Sequence, residues 1–132
     1  MKSFETVYNE LEELLIKKLP EYIEKTNKHY NDNLILKAFE NTRLEENCIK
    51  QPCFKLTNAR AEYSEKDRII ESEVYITTFE IKLPENQKYK IAIFWRYVEA
   101  LRRMFAEEET LYDYETTDCY ETTVEIYAWN TN

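Results

Sequence analysis

The 132-residue chain contains no glycine. Average usage of about 7% would give roughly nine in a chain of this length. A phosphate-cradling P-loop, a dinucleotide G-x-G-x-x-G, a G-x-S-x-G elbow and an EF-hand loop all need glycine where a side chain will not fit. All four are excluded. Turns with positive φ must be built from asparagine, aspartate or longer loops. Histidine is nearly absent too: His29 stands alone beside three cysteines. Structural zinc normally shows two close cysteine pairs or two histidines, so Cys48, Cys53 and Cys119 read as ordinary thiols. No export signal follows Met1-Lys2-Ser3, which favours a reduced, cytosolic setting. His29 lies in a polar stretch and reads as a surface residue, not as the base of a cysteine nucleophile. No apolar run approaches a membrane span.

Basic residues are missing from one end. Between Met104 and Asn132 there is no lysine or arginine, against eight acids. The whole chain has 26 acids and 18 bases, so its net charge of −8 belongs to this final segment. Such a balance disfavours binding nucleic acid through its phosphates. The segment is either a solvated acidic face or a surface turned towards a polyanion it must not hold, or towards a basic partner.

What is present points to one domain over residues 1–132, with 43% hydrophobic residues and eleven tyrosines to build a core. Phe4, Val7, Tyr8, Leu11, Leu14, Leu15 and Leu19 fall on one helical face, with Ser3 as a cap. Pro20 predicts a stop or a kink, and residues 26–34 read as loop. Leu34, Ile35, Leu36 and Phe39 suggest a short extended piece. A strand begins at Phe54 and Leu56, the segment Ser64–Arg68 turns, and a second strand runs from Ile69 to Leu83. Within it Val74 and Ile76 lie on one parity, and Phe79, Ile81 and Leu83 on the other. Either a bulge falls near Thr77-Thr78 or both faces are buried by a partner. Ile91, Phe94, Tyr97, Val98, Leu101, Met104 and Phe105 form the stripe of a second helix. A last strand alternates through Tyr120, Thr122, Val124, Ile126 and Ala128. The expected class is α+β: a small mixed or antiparallel sheet with a long hairpin and two main helices on one face, in the order α-β-β-α-β.

Chemistry is hard to find. Glu80-Ile81-Lys82 matches the E-x-K element of a nuclease signature, yet the acids upstream (Asp67, Glu71, Glu73) lie roughly 20–40 Å away along the same strand. Trp95 and the tyrosines could stack bases, but Arg96, Arg102 and Arg103 are too few for a basic surface. No enzyme, metal or cofactor is expected. The protein acts through its surfaces.

Three stretches carry a resemblance: Leu19-Pro20-Glu21-Tyr22-Ile23 after the first helix, Tyr97-Val98-Glu99-Ala100-Leu101 in the second, and Glu109-Thr110-Leu111-Tyr112 before the last strand. With the order of elements, they make the chain similar to the tail terminator (tail completion, or neck) proteins of long-tailed bacteriophages and prophages. Such proteins often carry glycine where Tyr112 stands here. The resemblance implies a non-enzymatic structural protein of the virion, at the tail–head junction, present in the host cytoplasm before assembly. It implies a homo-oligomeric, typically hexameric ring that ends growth of the tail-tube protein and meets the head-completion or connector protein, with DNA only passing through. Self-association is expected through the hairpin, at Lys66, Arg68, Val74 and Ile76. An acidic lumen face is expected from Glu107, Glu108, Glu109, Asp113, Glu115, Glu121 and Glu125. The alternative is a small cytosolic α+β module that binds a small molecule or peptide.

Overall fold

Val7, Leu11, Leu14, Leu15 and Leu19 are buried at steps of three and four, so the first quarter of the chain winds as an amphipathic helix. The computed structural model describes residues 4–130; Ser3, the expected cap, lies outside them. Helix α1 (Phe4–Glu12) passes through a π-helical stretch (Glu13–Lys18) into α2 (Leu19–Tyr30). Pro20 therefore does not stop the helix. It stands in the first turn of α2, after the wider winding, where its missing N–H is tolerated. The loop expected from residue 26 starts only after Tyr30, where Asn31 turns into the left-handed region at φ 48°.

Residues 31–52 form no strand or helix, so the extended piece expected at Leu34–Phe39 has no ladder. Side chains supply the bonds a ladder would give. The Asn27 amide donates to the Leu36 carbonyl at 2.9 Å and accepts from its N–H at 2.8 Å. Asn41 pairs in the same two-way manner with the Phe54 backbone. Phe39 stacks on Tyr97 with ring centroids 4.6 Å apart and meets Phe54 and Phe79 edge-on. These rings join the segment to the core.

The sheet has four antiparallel strands in the order β1-β2-β4-β3: β1 (Cys53–Lys66), β2 (Ile69–Lys82), β3 (Tyr112–Tyr120) and β4 (Thr123–Asn130). The fold is α+β with its helices on one face, as expected, but the expected last strand is a hairpin of two. Between β2 and β3 runs α3 (Lys90–Glu107), which buries Ile93, Phe94, Tyr97, Val98, Ala100, Leu101 and Met104. Ile91, expected in that stripe, opens the helix on its solvent side instead. The inner sheet face offers Phe79, Ile81, Val124, Ile126, Ala128 and Tyr112 to the same core. Glu10 of α1 ties the last hairpin down: its carboxylate accepts the Leu111 and Tyr112 N–H groups and the Tyr114 hydroxyl at 2.8, 3.3 and 2.9 Å.

The change of parity in β2 has a definite cause. β2 runs in unbroken register against β4 from Val74 to Glu80. The irregularity lies in β1, between Thr57 and Arg60, opposite Thr77, with Asn58 at φ 52°. So β2 is regular from Val74 to Glu80, where it is buried on both faces as far as Thr77; a second shift, between Ser64 and Glu65, passes over Glu71.

Candidate functional site

β2 pairs with β4 only as far as Val74, while β1 follows β2 out to its first residue. The five residues Ile69–Glu73 and their partners on β1 therefore project beyond the sheet as a two-stranded arm, about 17 Å long at 3.4 Å per residue. On β1 every residue from Thr57 to Lys66 is exposed. Tyr63 at 61% and Ile69 at 69% are exposed apolar side chains on a structure that water alone supports poorly. The turn is the tight two-residue kind, with Asp67 at φ 52° and Arg68 at φ 65°. Such a turn usually takes glycine second, and here arginine bears the strain.

Lys66 and Arg68, two of the expected interface residues, stand exposed at this tip. The other two do not reach the surface. Val74 is 6% exposed and Ile76 0%, covered within the chain on the sheet's open face. Ile76 lies opposite Arg60 on β1 and Tyr127 on β4. Apolar residues of that parity are satisfied internally, and the exposed apolar side chains Tyr63 and Ile69 lie on the arm.

The expected acidic face divides into three places. Glu107 faces Lys25 of α2 at 3.5 Å, and Glu108 accepts the Tyr22 hydroxyl, which raises the Tyr22 pKa. Glu109 follows in the link to β3. Asp113, Glu115 and Glu125 lie on the open sheet face, by register with Trp129, Tyr127 and Thr78. There the Trp129 indole N–H donates to Glu115 at 2.8 Å, and Glu125 pairs with Arg60 at 3.0 Å. Glu121 sits in the β3–β4 turn at φ 53°. Cys119 lies on the helix side, packed against the core. Asp118 at φ 45° breaks the register between Thr117 and Tyr120 and reverses the alternation.

A groove of about 530 Å³ runs along the outer flank of α3, lined by Tyr30, Ala92, Trp95, Arg96, Glu99 and Arg102. Sequence reasoning weighed Trp95 and the arginines only as a base-stacking surface; Trp95 and Arg102, seven residues apart, share one outer face of the helix. Trp95 is 46% exposed and Ile91 78%. The Arg96 guanidinium is fixed twice over: it donates to both Asp32 oxygens at 2.8 and 2.6 Å, and its centre lies 3.8 Å from the Tyr30 ring centroid. That pairing lowers the Asp32 pKa from 3.8 to about 2. Arg102 donates to the Thr116 hydroxyl at 2.7 Å, and among the described residues no carboxylate forms an ion pair with it.

The cysteines depart from expectation. Cys48 and Cys53 are joined in a disulfide, with Cα atoms 5.7 Å apart, and only Cys119 is a free thiol, its pKa raised by burial. Cys48 and Cys53, read from the sequence as ordinary thiols, are therefore not free. His29 is exposed on the last turn of α2, packed against Tyr30. Glu80 lies opposite Lys55 and Thr123. Among the described residues no group of three or more histidines, cysteines or acids could hold a metal ion, and no helix is long and apolar enough to cross a membrane. Comparison with known protein families, with curated proteins and with solved structures finds no match.

Proposed function

We propose that this chain is a non-enzymatic structural subunit of a phage or prophage tail, which forms a ring that ends tail-tube growth and joins the tail to the head. One observation carries the reading: the projecting arm, with Tyr63 and Ile69 exposed and a lysine and an arginine at its tip. A two-stranded hairpin gains little from standing alone in water and much from a neighbour. A subunit whose arm differs from the surface it seats on makes a heterologous contact, the kind that closes into rings.

Charge supports the second half of the reading. Asp113, Glu115 and Glu125 share the open sheet face, which no helix covers. Such a face repels phosphates and suits a channel through which DNA must slide without sticking. Glu125, paired there with Arg60, and Glu107 and Glu108, engaged with α2, contribute less to it than Asp113 and Glu115. The partners would be other copies of the chain, the tail-tube protein and the head connector. Electron microscopy of tails assembled with and without the protein tests this. Ring-capped tubes of uniform length support it; overgrown or unchanged tubes in both samples refute it.

A second reading, a small binding module for a small molecule or peptide, has the α3 groove in its favour. It predicts a small species at every concentration and saturable binding of one ligand per chain.

A further inference from the structure

We propose that the arm of one copy seats in the α3 groove of the next. The inference rests on the ring reading for why copies meet, and it names where they meet. Three properties of the two surfaces match. The arm sequence from Tyr63 to Glu73 carries four acids against two bases. The groove presents Arg102 with no carboxylate partner among the described residues; its other arginine, Arg96, is paired with Asp32, and one acid, Glu99, also lines it. Arm and groove also match in apolar character. Tyr63 and Ile69 are exposed apolar groups of the arm, and the rings of Trp95 and Tyr30 line the groove. Aromatic and arginine anchors of this kind dominate contact energies where they are buried together.

The third property is position. β1, which continues into the arm, and β3, whose Thr116 accepts a hydrogen bond from the groove's Arg102, are opposite edges of the sheet. Three inter-strand spacings, about 14 Å, separate them, and the arm leads beyond the sheet. Each copy therefore offers an arm at one edge and a receptor at the other. Head-to-tail repetition follows from that placement. The groove wall is held ready: Asp32 fixes Arg96 and Arg96 fixes Tyr30, so little ordering is left to be done on contact.

Sedimentation velocity of the full chain tests the contact, with two variants that keep the fold intact by circular dichroism. Arg102→Glu reverses the groove; Tyr63→Asp combined with Ile69→Asp spoils the arm. Each variant alone should lose association at least about tenfold, the scale of one interface anchor. Mixed together they should form a one-to-one dimer, because the intact arm of the groove variant still finds the intact groove of the arm variant. A groove variant that assembles like the wild type overturns the groove assignment and leaves the ring reading standing. Arm and groove variants that fail to pair when mixed overturn it as well. A wild type that stops at a dimer, with the same variant pattern, supports the contact and contradicts the ring. A wild type that is monomeric at every concentration overturns the contact.

Discussion

The Arg60 guanidinium on β1 crosses β2 and meets the Glu125 carboxylate on β4 at 3.0 Å. It passes over Ile76, its register partner, beside the bulge where the arm begins. One side chain thus closes the open face above a buried isoleucine and braces the root of the arm. The neighbouring Glu62, at 3.5 Å, holds the same guanidinium from the arm side. Exposed pairs of this kind add little global stability, so the effect is local.

Arg60→Ala should loosen the arm and leave the core alone. Hydrogen exchange should quicken at the amides of Glu62 to Glu73 while those of Val124 to Ala128 keep their protection. Unchanged exchange in the arm would show that the hairpin holds its angle without this brace.

The turn at the tip is strained because no glycine serves it. Arg68 sits at φ 65°, a conformation that costs a non-glycine residue roughly 1–2 kcal/mol. Arg68→Gly should therefore raise stability by about 1 kcal/mol, read as a higher urea midpoint at constant slope. A lower midpoint would contradict the turn geometry.

Asp32 supplies a pH signature. Its pKa is held down to about 2 in the folded chain, from an ordinary 3.8, first by the hydrogen bonds from Arg96. A depressed carboxylate pKa means stability that is fully present above the unfolded value and lost as pH falls through the folded one. The stability difference between the wild type and Asp32→Asn should be full above about pH 4 and should vanish towards pH 2. A difference independent of pH across that window would mean the carboxylate does not hold Arg96.

How much of this was legible in sequence depends on which residues carried the signal. The alternation of Val124, Ile126 and Ala128 announced β4, and the spacing of Tyr97, Val98, Leu101 and Met104 announced α3. β3 stayed hidden because its turn into β4 uses Glu121 at positive φ, with no glycine to punctuate it. Pro20 misled, since helix propensity cannot foresee a π-helical stretch that brings proline into a first turn. The parity conflict in β2 was visible, and burial on both faces was one of its two readings; the bulge belonged to the partner strand, which one strand's pattern does not reveal. The arm's exposure, like the groove's, depends on where β4 ends, a property of tertiary pairing.

The disulfide has a direct chemical check. Without reductant, the unfolded chain should titrate one thiol, Cys119, and with reductant three. Closing so short a loop restrains the unfolded chain by about 2 kcal/mol, and reduction should lower stability by that order. Three thiols in freshly purified, unreduced protein would contradict the pairing.

The arm is the centre of the account, and its removal is the most direct test. In one variant the segment from Tyr63 to Glu73 is replaced by a tight two-residue turn between the register partners Glu62 and Val74. The mass of this variant and of the full chain is then measured by light scattering at matched concentrations, with circular dichroism confirming the fold of both. The account predicts a ring-sized species, or one that grows with concentration, for the full chain, and a monomer for the shortened one. Equal masses for the two proteins, whether both assembled or both monomeric, would contradict it.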